Sequence, residues 1–238
     1  MSKLIEEELE PGFRALYKIE KVLHSGQSQF QTVDIVDLAP FGRTLLIDGM
    51  IQSCQIDEFV YHECLVHPAM LLHATGVKTV YIGGGGECST AREVLRHASV
   101  TKCTMVDIDA EVFNFCKAGL KLHTSVFTPI NATLKTVFKQ VVGYTQAVYS
   151  FCDEWGWNMA FATPREGGMA IPVAEVDALI KARITGELKF LDGESYQGLP
   201  ALSKVHRANL AKETRVMSVA TGTFSFMHSQ GLCVAESK

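Results

Sequence analysis

Glu87 and Asp107 are the acidic side chains of this sequence whose settings best suit them for chemistry. Glu87 closes the run Val80-Tyr-Ile-Gly-Gly-Gly-Gly-Glu87. The apolar stretch Val77 to Ile82 stops at four glycines, and a helical pattern follows with Ala91, Val94 and Leu95 as its apolar positions. Strand, glycine turn and helix, in that order, bring backbone N–H groups close to a ligand. Glycine is required because a side chain would block the tight turn and the ligand's approach. A carboxylate inside such a turn opposes a phosphate and suits a cation or a hydroxyl donor. Asp107 ends the next apolar run, 21 positions after Gly86. That is the spacing of an acid that accepts hydrogen bonds from ribose hydroxyls. The pair points to a nucleoside-bearing ligand. The plainer alternative is that the glycines only turn the chain and Asp107 only caps a helix beginning at Asp109.

Other constellations carry less. The dinucleotide pattern wants a third glycine where Cys88 or Ser89 stands, and Glu87 would repel a pyrophosphate. A ligand with a ribose and a positive charge, such as an S-adenosyl compound, fits the two carboxylates better. His62-Glu-Cys-Leu-Val-His67 invites a zinc reading, but histidines five apart lie about 140° round a helix rather than on one face. Trp155-Gly-Trp157 reads as core and sheet packing. Asp153 and Glu154 read as solvated turn residues. No serine or cysteine nucleophile sits in an elbow, so hydrolase chemistry has no support.

The elements that must position these residues can be traced along the chain. Residues 1–16 read as a polar lead-in. Tyr17 to His24, Gln29 to Leu38, Arg43 to Ile47 and Met50 to Cys54 read as strands of a small antiparallel sheet, with Asp48-Gly49 as a hairpin turn. Asp57 to His73 reads as a helix capped by Asp57 and broken or kinked at Pro68. Strand 78–83, helix 88–97, strand 101–106 and a helix from Asp109 to about Lys121 form a β-α-β-α run, which argues for a parallel sheet. The alternation then stops, and a third strand–helix unit expected near residues 122–126 is missing. Val126 to Gln140 reads as a helix, Val141 to Phe151 and Trp155 to Thr163 as a hairpin, and Val173 to Glu187 and Leu199 to Glu213 as helices. The fold class is therefore α/β. A small antiparallel sheet over 17–56 precedes an incomplete Rossmann-like, methyltransferase-type domain over 57–238.

The chain has 238 residues, 47% of them hydrophobic and 20% charged, as in ordinary globular proteins. A net charge of −4 without a Lys/Arg cluster argues against nucleic acid. Seven cysteines occur without a C-x-x-C pair, and an acidic first segment is unlike a targeting peptide. Reduced thiols in the cytoplasm are the expectation. No apolar run approaches the ~18 residues that span a membrane.

Phe41-Gly-Arg-Thr-Leu-Leu-Ile-Asp-Gly-Met-Ile-Gln52, Asp57-Glu-Phe-Val-Tyr-His-Glu63, Gly84-Gly-Gly-Glu-Cys-Ser-Thr-Ala-Arg-Glu-Val-Leu-Arg-His97 and Asp107-Ile-Asp109 together resemble the spermidine/spermine synthases, which are aminopropyltransferases. Tyr144 to Phe151 and Trp155-Gly-Trp-Asn-Met-Ala160 look most like the plant thermospermine synthase branch. The resemblance covers about 17–122 and 126–230. It implies decarboxylated S-adenosylmethionine as co-substrate, with no metal or other cofactor. A polyamine nitrogen, from spermidine or putrescine, would attack the aminopropyl carbon beside the sulfonium and release methylthioadenosine. Gln31, Gly84, Gly85, Gly86 and Ile108 would line the donor site. Glu87 would meet the aminopropyl amine and Asp107 the ribose. Tyr61 and His62 would border the polyamine channel.

The chain departs from that family's pattern. The family has a strand ending in an adenine-side Asp, then an Asp-x-x-Asp-Pro-type loop that carries the proton-accepting Asp. Lys121-Leu-His-Thr-Ser125 passes straight to the later helix, so no catalytic base is assigned. Cys88 replaces a turn glycine. Three functional readings follow. One is an aminopropyltransferase by descent with impaired catalysis. Another is a non-catalytic partner, as homodimer or as heteromer with a full-length synthase. The third is an S-adenosylmethionine methyltransferase, which shares the glycine turn and the distal acid.

Overall fold

The computed structural model describes residues 3–10, 12–109, 112, 124–218, 227–228 and 231–232. Five strands come first: β1 (Lys3–Glu10), β2 (Phe13–Gln27), β3 (Thr32–Leu38), β4 (Gly42–Ile47) and β5 (Met50–Cys54). They form one antiparallel sheet in sequential order. The expected Asp48-Gly49 turn joins β4 to β5, with both residues at positive φ. The expected lead-in over 1–16 is corrected, because it supplies β1 and the start of β2. Glu7 points inward and is fully buried. Its carboxylate accepts the Ile51 N–H at 2.9 Å and the Tyr17 hydroxyl at 3.2 Å. An acid-rich run thus forms a strand because one acid has partners on two other strands.

Helix α1 (Glu58–Leu72) follows. Asp57 sits at its N-cap but makes no side-chain cap bond. Its carboxylate instead accepts the Ser150 N–H and hydroxyl, both at 2.7 Å. Pro68 lies inside the helix without ending it. A proline has no N–H for the carbonyl four residues earlier. That carbonyl belongs to Cys64, and the Tyr144 hydroxyl donates to it at 3.0 Å. The freed acceptor is satisfied from another element, so the helix continues.

Next come β6 (Thr79–Gly83), α2 (Ser89–Leu95) and β7 (Lys102–Val106), with β6 and β7 paired in parallel. The helix expected from Asp109 to Lys121 falls almost entirely outside the described residues, as do residues 122 and 123 of the bridge, while Thr124 already begins the next helix. Helix α3 (Thr124–Val137) leads into β8 (Gln140–Val148), a 3₁₀ turn at Tyr149–Phe151 and β9 (Asp153–Phe161). β8 and β9 form the expected hairpin, with β9 starting two residues early. Helices α4 (Val173–Arg183), α5 (Gly193–Gly198) and α6 (Lys204–Lys212) and a short pair, β10 (Met227–His228) with β11 (Gly231–Leu232), complete the order.

Among the described residues β6 and β7 have no third strand, and the β8–β9 hairpin forms a separate sheet. The fold is thus a small antiparallel sheet followed by a methyltransferase-like α/β domain. The main core joins Val36, Leu38, Leu46 and Ile51 of the first sheet to Tyr61 and Leu71 of α1, Trp155 and Trp157 of β9, and Val176 of α4. No helix of the described residues is long and apolar enough to cross a membrane.

Candidate active site

The glycine turn begins where β6 ends. Gly84 and Gly85 have φ of 78° and 81°, a left-handed backbone that glycine adopts without penalty. Gly86 is required for a different reason. A Cβ there would lie 3.1 Å from Asp107 Oδ2 and 3.1 Å from Val112 Cγ1. Cys88, the residue in place of a turn glycine, also sits at positive φ, 68°, which costs a non-glycine residue about 1 kcal/mol or more.

Asp107 is held by backbone on both oxygens. Oδ2 accepts the Gly86 N–H at 2.8 Å and Oδ1 accepts the Asp109 N–H at 2.9 Å. It is half-buried, and each oxygen keeps a further lone pair for a hydroxyl. The capping and ligand readings of Asp107 are therefore compatible. Ile108 beside it is exposed. Gln31 comes to this turn through Asp109, whose Oδ2 accepts Gln31 Nε2 at 2.8 Å and Ser28 Oγ at 2.7 Å. Asp109 is buried and fastens the first sheet to the turn. Sequence spacing marked it only as a helix start.

Glu87 is buried to 1% exposure. Its Oε1 lies 3.3 Å from His62 Nε2. Its Oε2 has no hydrogen-bond partner among the described residues. A carboxylate oxygen taken out of water without a partner is costly, so this atom calls for a donor that the described residues do not supply, whether water or ligand. Tyr61 is also buried, and burial together with the nearby Glu87 charge raises its phenol pKa. Its ring lies 5.0 Å from the His62 ring, 5.5 Å from Trp157, 6.0 Å from Trp155 and 6.1 Å from Phe151. The indole N–H of Trp155 is buried without a partner among the described residues, and that of Trp157 lies against the Tyr61 side chain. These tryptophans are core residues, as expected, and with Tyr61 and Phe151 they make a packed aromatic box beside His62. Alternation along β9 marks them as buried and cannot show what they face.

The two histidines of the His62–His67 run do separate work. His62 faces Glu87, while His67 pairs with His97 at 2.9 Å and with Glu93 at 3.2 Å. Glu63 between them accepts the N–H groups of Lys189, Phe190 and Leu191 at 2.8, 2.9 and 2.8 Å, which fixes the segment before α5.

The fold and this geometry define a class: a methyltransferase-like α/β domain with an acid inside its glycine turn, behind a small antiparallel sheet. Comparison with known proteins specifies it further. The spermidine synthase tetramerisation domain matches residues 4–58, and the spermine/spermidine synthase domain matches residues 58–149. The thermospermine synthase ACAULIS5 of Arabidopsis thaliana is 32% identical over 305 residues, covering 95% of this chain and 88% of that protein. A polyamine aminopropyltransferase of Sulfolobus acidocaldarius is 32% identical over 276 residues, covering 84% of this chain and 90% of its own length. The spermidine synthase structure from Thermotoga maritima superposes with a TM-score of 0.77 at 21% identity, covering 90% of this chain and 97% of that one. The chain belongs to the spermidine/spermine synthase family of polyamine aminopropyltransferases. Both sequence alignments are longer than the 238 residues of this chain, so each relative carries residues within the aligned region that have no counterpart here.

Proposed function

We propose that the glycine turn binds decarboxylated S-adenosylmethionine, that the aromatic box receives the polyamine, and that aminopropyl transfer by this chain is impaired. The observation that carries the binding reading is the buried, unpartnered Oε2 of Glu87 at the turn. A cationic aminopropyl group would satisfy it, and ribose hydroxyls would take the remaining lone pairs of Asp107. The faces of Trp155, Trp157 and Tyr61 suit an ammonium chain through cation–π attraction.

In the reaction a polyamine nitrogen forms a bond to the aminopropyl carbon while the carbon–sulfur bond breaks. Methylthioadenosine leaves with the electron pair on sulfur, and the attacking nitrogen gives up a proton. Orientation of the two cations is the work of Glu87, Asp107 and the box. Removal of the proton needs a base. The family's Asp-x-x-Asp-Pro-type loop has no match in this sequence, and the alignments leave interior residues of the relatives unmatched. Loss of a positioned base costs roughly 10²–10⁴-fold in rate.

The purified chain, given decarboxylated S-adenosylmethionine with spermidine or putrescine, is expected to bind the donor by calorimetry. Methylthioadenosine release, followed by chromatography, should run about 10²–10⁴-fold below that of a full-length synthase. Release at the full rate sinks the impairment, and absence of donor binding sinks the site. Chromatographic separation of spermine from thermospermine reads the product isomer, for which the Arabidopsis relative favours thermospermine. Methyl transfer from S-adenosylmethionine would replace this reading by the methyltransferase one. The match of residues 4–58 to a tetramerisation domain supports a second reading, a non-catalytic subunit. Co-purification with a full-length synthase, together with no transfer, favours that one.

A further inference from the structure

Glu87 can offer one oxygen to a ligand because the other faces His62, and His62 is itself held from behind. His62 Nδ1 lies 2.9 Å from Glu58 Oε2 and 2.7 Å from the Glu58 carbonyl. Arg92 Nη2 donates to the same Glu58 oxygen at 2.7 Å. The four side chains make a file from the half-exposed Arg92 on α2, through Glu58 and His62 one turn apart on α1, to the buried Glu87 of the glycine turn. A carboxylate is an acceptor only, so an imidazole that serves one at each nitrogen must carry both protons. Burial opposes the charged ring, but the bonds to Glu58 and Glu87 outweigh it and raise the His62 pKa. Glu58 is also desolvated, yet His62 and Arg92 hold its pKa below the usual range. The groups that face His62 are therefore Glu58 from its own helix, Glu87 from the turn, the edge-on Tyr61 ring, and Arg92 behind Glu58.

We propose that Glu58, clamped by Arg92, is a positioning residue: it keeps His62 doubly protonated, which fixes Glu87 Oε1 and leaves Oε2 aimed at the cationic group of the ligand. The ligand part of this inference rests on the donor site proposed above. The protonation of His62 does not, so the two can fail separately.

Side-chain nitrogen NMR on the ligand-free chain tests the file directly. In the wild type His62 should show two N–H groups at pH 7. In Glu58→Gln its titration midpoint should fall by about one pH unit or more. Arg92→Met removes the cation that shares the Glu58 carboxylate and should shift the midpoint upward by less, which decides the matter if Glu58→Gln does not fold. Calorimetry adds the second arm. Glu58→Gln should weaken decarboxylated S-adenosylmethionine about tenfold. It should leave methylthioadenosine, which lacks the aminopropyl cation, within about twofold. A singly protonated His62 at pH 7 in the wild type, or an unmoved midpoint in both variants, overturns the proposal. Equal loss for both nucleosides overturns the aiming of Oε2. If the wild type binds neither nucleoside, the donor site fails, while the NMR arm still decides whether Glu58 sets the state of His62.

Discussion

The two sheets that flank the site are built to different standards. In the first, β2, β3 and β4 each have neighbours on both sides, and Val36, Leu38, Leu46 and Ile51 are almost fully buried. In the second, β6 and β7 have only each other among the described residues, and Tyr81 and Val106 stand 68% and 51% exposed. Isolated two-stranded sheets are marginal in water, and parallel sheets are ordinarily covered on both faces. Yet the second sheet carries the glycine turn. Val66 and Met70 of α1 and Val94 of α2 cluster with Ile82 of β6, and charged side chains bonded to backbone then tie α1 to the rest of the chain. Arg183 donates to the carbonyls of Leu71, His73 and Ala74 at the end of α1, which has no basic residue in its own last turn. Glu63 binds three successive N–H groups. Both sheets are held by area removed from water, the first through a large shared core and the second through a smaller cluster in which Ile82, Val80, Cys103 and Met105 meet Val66, Met70 and Val94.

The sharpest test of that contrast is Leu46→Ala in the first sheet. It should cost about 3–5 kcal/mol in urea unfolding, because the fully buried site cannot refill. Glu87→Gln should come next, weakening decarboxylated S-adenosylmethionine about 10–100-fold in calorimetry by removing a charge-assisted bond. Tyr144→Phe removes the donor that serves Cys64 O above Pro68, and should cost about 1–3 kcal/mol in the same urea experiment.

Acid should act on the second half before the first. Burial, followed by the neighbouring His67 and Arg183 charges, holds His97 down at about 4, below its ordinary value of 6.5. Between those values the unfolded chain binds the extra proton, so stability is complete above about pH 6.5 and is lost as pH falls toward 4. Glu93 is desolvated but bonded to His67, Arg92 and Arg96, and sits at about 2, so it adds loss below its ordinary 4.5. Melting temperatures from pH 7 to pH 4 should fall, and hydrogen exchange should show the α1–α2 region opening first. The smallest effect belongs to Tyr81→Ser on the exposed face, within about 0.5 kcal/mol by urea unfolding. A larger cost there would mean that the second sheet is better covered than the contrast states.

Much of the frame was readable from local pattern. Alternation and the Asp48-Gly49 turn mark β3 to β5, helical spacing marks α1 and α2, and the hairpin of β8 and β9 is visible from the short link, Cys152 to Glu154, between two strand-like runs. The misses have one cause. Glu7 falls in a stretch that reads as a polar lead-in because its partners, Tyr17 and Ile51, lie on other strands. Asp57 was read as a cap because its partner, Ser150, lies 93 positions away. Pro68 was read as a break because the hydroxyl that relieves it comes from β8.

By itself the sequence determined the glycine turn, the interval from Gly86 to Asp107 and the resemblance to the aminopropyltransferases. Each of these depends on residue types at short, countable spacings. Only the tertiary structure decided which oxygen of Glu87 is free, that Asp107 is already bonded on both oxygens, that Asp109 ties Gln31 to the turn, and that two core tryptophans form a box with Tyr61. Those facts depend on which groups meet across long sequence separations, and burial makes each meeting matter because water cannot stand in for a missing partner.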